Sequence, residues 1–114
     1  MGNAASAASA DRSALLTIER AGAVLTVGLN RPAKRNALND GIILAIGDCF
    51  SNLSDYIGAV VIHGVGDHFS SGLDLSELTD HDATGGLIHS QMWHRVFDRI
   101  QYSRVPVIAS LKGA

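Results

Sequence analysis

Residues 58–75 read GAVVIHGVGDHFSSGLDL, and this stretch decides the fold class. The run from Gly58 to His63 is short and apolar, which predicts a strand buried on both faces of a sheet. A loop punctuated by glycines follows from Gly64 to Gly72, and Asp74 can cap a short helical turn after it. A buried strand that leads through a loop into a helix indicates an α/β protein.

The chemistry of this stretch centres on the turn at Gly72. A loop that turns outward there and then begins a helix presents backbone N–H groups that lack partners, and these suit an oxygen bearing negative charge. The Leu73 N–H would donate to such an oxygen as its charge develops in a reaction. An ordinary strand-to-helix connection explains the same letters, because glycine is common in loops.

Upstream of this stretch, the pattern predicts a hairpin and a helix. Alternating apolar residues predict strands over Ala14 to Glu19 and Ala23 to Leu29, joined by a turn at residues 20–22 and ended by Pro32. From Asn39 to about Ser54 the apolar spacing is helical, with Asn39 or Asp40 as the cap. The apolar positions of this helix are Ile42, Ile43, Ile46, Phe50 and Leu53.

Downstream, the pattern predicts a second helix and another buried strand. The helix extends from about Leu87 to Tyr102, and the strand from Val105 to Leu111. One apolar stripe is expected along that helix, formed by Ile88, Met92, Val96 and Ile100. A helix between two buried strands makes a βαβ unit, which is expected to cross over with right-handed sense.

Composition bounds the remaining possibilities. The chain has 114 residues, enough for one small domain, with 46% hydrophobic and 18% charged residues, as in globular proteins. A net charge of −2 argues against a nucleic-acid binder. Cys49 is the only cysteine, so an internal disulfide is excluded and a reducing cytoplasm is expected. Residues 1–13 are small and aperiodic, which predicts a disordered tail before a domain over 14–114.

The segment from Phe69 to Leu75, FSSGLDL, resembles the phenylalanine-small-small-glycine-x-aspartate-leucine signature of the crotonase (enoyl-CoA hydratase/isomerase) superfamily. Three further segments are similar to the family in order and spacing: NRPAKRNAL at residues 30–38, GAVVI at residues 58–62, and RVPVIASLKGA at residues 104–114. Each segment is loose alone, but four in order favour membership strongly.

The resemblance implies a crotonase-type α/β fold, a ββα spiral of stacked sheets, and an enzyme that stabilises an enolate of an acyl-CoA thioester. In such a family member, Leu73 gives one oxyanion-hole N–H and Ser71 offers its carbonyl to the adenine of CoA. The implied CoA-binding and substrate-binding residues are Lys34, Arg35, Ala37, Ser71, Gly72, Asp74 and Leu75. Lys34 and Arg35 meet the CoA phosphates or form a solvated charge pair, and the sequence leaves both open.

The same resemblance sets expectations for partners. CoA enters as part of the substrate, with no separate cofactor or metal, no nucleic acid and no membrane. The complete protein is expected to form homotrimers or hexamers. Asp74 and Glu77 are not the family's usual catalytic acids, and we expect them to be solvated charges at a helix start.

The family's second oxyanion glycine and its catalytic carboxylates lie past Ala114, so the chain is expected to be truncated before the second oxyanion loop. Two functions therefore stay open: an acyl-CoA hydratase or isomerase, and a catalytically incomplete CoA-binding or partner-binding fragment. Hydratase, isomerase, decarboxylase, hydrolase and dehalogenase members share this front half, and the acyl chain length is not encoded in it.

Other chemistries fit poorly. A dinucleotide loop at Gly64-Val65-Gly66 has Phe69 at the position of its third glycine. His89 and His94 are five residues apart on a helix, which separates their faces and disfavours a shared metal. Ser70 and Ser71 lack the nucleophile-elbow pattern of serine hydrolases.

Overall fold

In the computed structural model, the described residues are 14–75 and 83–113. Several parts of the sequence discussion lie outside these ranges. They are the predicted disordered tail, most of the predicted helical turn after Asp74, and the acidic residues Glu77, Asp80 and Asp82. The elements along the chain are β1 Leu16–Ala21, β2 Val24–Leu29, a 3-10 helix Pro32–Lys34, α1 Asp40–Ser51, β3 Ala59–Gly64, α2 Ala83–Gln101 and β4 Val107–Ala109.

One mixed sheet organises these elements in the order β1-β2-β3-β4. β1 and β2 form the predicted antiparallel hairpin, whereas β3 runs parallel to both β2 and β4. The connection from β3 through α2 to β4 is therefore the predicted βαβ unit. The hairpin turn is centred on Gly22, whose φ of 60° requires the left-handed region that glycine adopts without strain.

The core lies where α1 and α2 pack on one face of the sheet. Side chains in β3 alternate, with Val60 and Ile62 buried against the helices and Val61 and His63 half-buried on the opposite face. The prediction of a strand buried on both faces is thus wrong for β3 within the described residues. The largest fully buried side chains are Ile42, Ile43, Val27, Val60 and Asn36.

Helix α1 begins as its sequence requires. The side chain of Asn39 accepts a hydrogen bond from the Ile42 N–H at 2.9 Å, so Asn39 rather than Asp40 is the cap. Gly47 lies at the crossing of the two helices, where a Cβ would stand 3.0 Å from both Val96 and Arg99. This close approach explains a glycine in a helix that it otherwise weakens.

Two predictions for the second half of the chain need correction. Ile88 is 59% exposed, so the buried stripe of α2 consists of Trp93 and Val96, with Met92 and Ile100 partly buried. β4 is shorter than predicted, and Ile108 on it is 49% exposed. Ile108 pairs with Val61, so its side chain lies on the face of the sheet opposite the two helices, which no described helix covers.

Candidate functional site

Two segments form the candidate site, the NRP segment (residues 30–38) and the signature loop (residues 69–75). The NRP segment follows β2, and the signature loop follows β3 after a short connection. Because β2 and β3 are parallel neighbours, both segments leave the same edge of the sheet. The topology therefore brings together residues that stand more than thirty positions apart in the chain.

Asn36 joins the NRP segment to the connection after β3. Its side chain is fully buried; the amide nitrogen donates to the carbonyls of Val65 and His68, at 3.1 and 2.8 Å. Its amide oxygen accepts from the Arg31 N–H at 2.7 Å. Asn36 adopts a left-handed φ of 56°, which asparagine tolerates better than most residues. This one side chain ties the NRP segment to the connection that leads into the signature loop.

Backbone hydrogen bonds then pair the two segments at Leu38 and Leu73. Leu38 donates to the Gly72 carbonyl at 2.7 Å and accepts from the Asp74 N–H at 2.8 Å, which makes an isolated parallel bridge. In such a bridge the residues flanking Leu73 face Leu38, so the N–H of Leu73 itself faces away. Within residues 14–75 and 83–113, no acceptor takes a hydrogen bond from this N–H.

The turn before Leu73 is held by a serine hydroxyl. Gly72 has a φ of 92°, a conformation strained for any residue with a side chain. Its N–H donates to Ser70 Oγ at 3.0 Å, and Ser70 Oγ donates to the Asn36 carbonyl at 2.8 Å. The Gly72 N–H is therefore occupied and the Asp74 N–H is taken by Leu38, whereas the Leu73 N–H between them meets no acceptor among the described residues.

Asp74 is part of an ion pair, in contrast to the solvated charge predicted from the sequence. Its carboxylate lies 2.8 Å from Arg31 Nη1, and the two side chains are only 13% and 22% exposed. The same Nη1 donates to the Ala37 carbonyl at 3.0 Å. The prediction was wrong because a helix-start carboxylate and a distant arginine carry no mutual signal in sequence.

The predicted CoA contacts lie close to each other. Ser71 donates its N–H to the Arg35 carbonyl at 2.9 Å, and its hydroxyl lies 3.5 Å from the Lys34 carbonyl. Lys34 and Arg35 are exposed and take part in no ion pair with the described residues. Residues Lys34, Arg35 and Ser71, all exposed, are therefore direct neighbours in the site. Leu75 is exposed beside them.

The residues after β4 also reach this site. Phe69 donates its N–H to the Lys112 carbonyl at 2.8 Å. Gly113, with a φ of 60°, presses so closely on Asp67 and His68 that a Cβ would stand 2.5 Å from the Asp67 carbonyl. The segment resembling the approach to the second oxyanion loop therefore runs along the first.

Gly64, the last residue of β3, has a packing role. A Cβ on Gly64 would collide with the backbone of Phe69, as close as 2.5 Å to its carbonyl oxygen. Gly64 therefore lets the chain fold back tightly. Because packing explains the first glycine of Gly64-Val65-Gly66, this glycine no longer supports the dinucleotide-loop alternative. The described residues contain no group of three or more metal-ligating side chains.

Cys49 lies away from the site, in a cleft of about 630 Å³ between β1 and α1. Burial raises the pKa of the Cys49 thiol, because desolvation disfavours the thiolate. Because the thiolate is the nucleophilic form, this shift lowers the reactivity of Cys49 at neutral pH relative to an ordinary cysteine. None of the described helices is long and apolar enough to cross a membrane.

Comparison with known proteins identifies the family. The family model described as Enoyl-CoA hydratase/isomerase matches residues 19–114. The chain belongs to this family. The crystal structure of a Rhodopseudomonas palustris CGA009 protein assigned as an enoyl-CoA hydratase is similar, with 68% sequence identity and a TM-score of 0.83. The match covers 87% of this chain and 38% of the length of that protein. The predicted crotonase-type α/β fold is confirmed.

Two curated members of the family are similar to an equal degree. The 2,3-dehydroadipyl-CoA hydratase of Escherichia coli K12 is 33% identical over 86% of this chain and 38% of its own length. The mitochondrial Delta(3,5)-Delta(2,4)-dienoyl-CoA isomerase of Rattus norvegicus is 33% identical over 79% of this chain and 32% of its own length. The chain thus spans about a third of the relatives' length and resembles hydratase and isomerase equally.

Sequence reasoning on this family member missed the parts played by two residues. Arg31 and Asn36 both lie in the segment that resembles the family, yet the residues expected to act in it were Lys34, Arg35 and Ala37. A signal was available for Asn36, since asparagine after a basic pair suits a left-handed turn. No signal was available for Arg31, because its partner Asp74 lies 43 residues further along the chain.

Proposed function

We propose that this chain forms the first oxyanion donor and part of the CoA site of an acyl-CoA hydratase or isomerase. The observation that carries the proposal is the Leu73 N–H, which has no acceptor among the described residues and faces away from its bridge. An N–H fixed in this way meets the requirement of an oxyanion hole, which is a donor already oriented before charge develops.

The chemistry begins with the thioester carbonyl of an acyl-CoA accepting a hydrogen bond from Leu73. As the α-carbon loses a proton or the β-carbon gains a nucleophile, negative charge moves onto that oxygen and the bond strengthens. A second donor and a carboxylate that moves the proton complete the reaction. CoA belongs to the substrate, and the reaction needs no other cofactor.

The neighbouring groups support the CoA part of the proposal. Among the described residues no group donates to the Ser71 carbonyl, which suits it to accept from the adenine amino group, while Lys34 and Arg35 supply positive charge for the phosphates. The surface between the adenine position and the phosphate position is then formed by Gly72, Asp74, Leu75 and Ala37. Assembly as a homotrimer or hexamer in the cytoplasm is part of the same proposal.

The test uses the full-length natural protein and 4-dimethylaminocinnamoyl-CoA, whose absorption moves to longer wavelength when its carbonyl is polarised. We expect this shift on binding, and hydration or isomerisation of a short enoyl-CoA. Leu73→Pro removes the N–H and is expected to lower kcat about 10²–10³-fold, the usual effect of losing one oxyanion donor.

Leu73→Ala is the matched control, because it shortens the side chain and keeps the N–H. It is expected to retain the spectral shift and most of kcat. Folded Leu73→Pro protein with normal turnover would remove Leu73 from the mechanism. CoA binding with neither shift nor turnover in the parent protein would favour the CoA-binding module instead.

A further inference from the structure

We propose that Arg31 and Asp74 are positioning residues that set the direction of the Leu73 N–H, an inference that rests on the proposed function. Neither side chain needs to touch the substrate for this role. Their ion pair lies beside the bridge that presents Leu73 and is largely withdrawn from solvent.

A single guanidinium nitrogen makes the decisive contacts. Arg31 Nη1 donates to Asp74 Oδ2 at 2.8 Å and to the Ala37 carbonyl at 3.0 Å. Asp74 follows Leu73 in the chain, and Ala37 precedes its partner Leu38. One charged group therefore ties together both segments next to the Leu38–Leu73 bridge.

The ion pair adds to the contacts that hold this bridge, which include the hydrogen bonds from the Ser71 N–H to the Arg35 carbonyl and from Ser70 Oγ to the Asn36 carbonyl. The bridge is isolated, with one donating and one accepting hydrogen bond at Leu38 and no strand on either side. Leu73 is 40% exposed and Leu75 is 69% exposed, so side-chain packing gives this turn little support. The Arg31–Asp74 ion pair is a further polar contact, away from the two backbone hydrogen bonds of the bridge, and it resists rotation of the Leu73 peptide.

Burial lets the Arg31–Asp74 ion pair hold its two partners in a fixed orientation. An exposed ion pair holds its partners weakly, because water screens the charges and competes for the hydrogen bonds. Here Asp74 is 13% exposed, and Arg31 is also backed by the Asn36 oxygen on its own N–H. Loss of either partner leaves a charge in a poorly solvated place, so the surrounding turn must rearrange.

A positioning role and a through-space charge role predict opposite patterns. If charge alone mattered, Arg31→Met would weaken attraction for an anionic substrate and a developing oxyanion, while Asp74→Asn would strengthen both. If the pair positions Leu73, both substitutions misdirect the same N–H and lower kcat in the same direction.

The experiment measures 4-dimethylaminocinnamoyl-CoA absorption, CoA affinity, kcat and KM in the full-length protein. For Arg31→Met and Asp74→Asn we expect a reduced red shift and a loss of about tenfold or more in kcat, since misplaced catalytic groups cost up to 10²-fold. We expect KM and the CoA Kd to change by less than about threefold, because the ground state uses this donor weakly.

Arg20→Met is the matched control, since Arg20 is an exposed arginine on β1 that stacks on Tyr56 away from the site. It is expected to keep the parent shift and kcat. Where Arg31→Met does not fold, Arg31→Gln replaces it, because its shorter side chain cannot reach both acceptors.

The outcomes separate this inference from the proposed function. A parent protein without a red shift overturns the oxyanion role of Leu73 and this inference with it. A parent with the shift, and both variants with parent shift and kcat, overturns only the positioning role. Opposite changes in the two variants also overturn it, in favour of through-space charge.

Discussion

Asn36 shows how one side chain can decide the geometry of a site. It is fully buried, adopts a left-handed backbone conformation and makes three hydrogen bonds to three different main-chain groups. A buried polar group is tolerated only when it is satisfied in this way. The Arg31–Asp74 pair and the Leu73 N–H lie in the NRP segment and the signature loop, which this side chain helps to tie together.

At this residue scale we expect Asn36→Ala to lower the free energy of unfolding by about 1–3 kcal/mol, the usual range for unpaired buried polar groups. The substitution strips partners from the Val65 and His68 carbonyls and from the Arg31 N–H. Urea unfolding of the full-length protein measures the change. Asn52→Ala, at an exposed amide that bonds only Asp48, is expected to stay within about 0.5 kcal/mol of the parent. Equal midpoints for the two variants would contradict this account.

At the scale of elements, the crossing of α1 and α2 fixes the layer that supports the sheet. Gly47 lets Val96 approach and lets Arg99 Nη1 donate to the Gly47 carbonyl at 3.3 Å. α2 follows the signature loop in the chain, and Trp93 Nε1 on it donates to Asp40 at 2.8 Å. The two helices are thus joined near the start of α1, beside the site, and again at Gly47.

We expect Gly47→Val to lower the free energy of unfolding by about 1–3 kcal/mol, as overpacking a close contact usually does. The added atoms would have to displace Val96 and Arg99. Gly86→Val is the matched control within the other helix, because a Cβ there meets nothing within 4 Å and valine is a better helix former than glycine. Thermal unfolding of both variants checks this, and a loss of stability in Gly86→Val alone would refute the crossing argument.

For the whole molecule, the charge distribution matters more than its sum. The chain carries a net charge of −2, yet the proposed ligand is a polyanion. Attraction must then come from a local group of positive charges, which Lys34 and Arg35 provide at the rim of the site. Because both are exposed, their effect is expected to weaken as salt is added.

We expect the double substitution Lys34→Met with Arg35→Met to raise the Kd for CoA about tenfold, which corresponds to about 1.4 kcal/mol. It should also flatten the dependence of Kd on salt. Calorimetric titration of the full-length protein at low and high ionic strength measures both. Removing two other exposed arginines, Arg20 and Arg95, changes the net charge equally and is expected to leave Kd unchanged. If the two double variants bind CoA alike, the basic pair is only a solvated charge pair.

The sequence alone determined the fold class, because it depends on local spacing of apolar residues, glycines and caps, and it indicated the family and the signature loop through their resemblance to crotonase motifs. A helix cap at Asn39 or Asp40, the hairpin and the βαβ unit all follow from contacts within a few residues or from strand pairing of neighbours, and the structure then selected Asn39 as the cap. The role of Leu73 as a donor remains a prediction that the geometry supports.

Tertiary structure alone decided which polar groups meet. The pairing of Arg31 with Asp74, the bridge between Leu38 and Leu73, and the contacts of Asn36 with Val65 and His68 join residues 29 to 43 positions apart. Such pairs carry no periodic signal, because either partner alone suits a solvated loop. Their meeting follows from the parallel register of β2 and β3, which places the ends of two distant strands side by side.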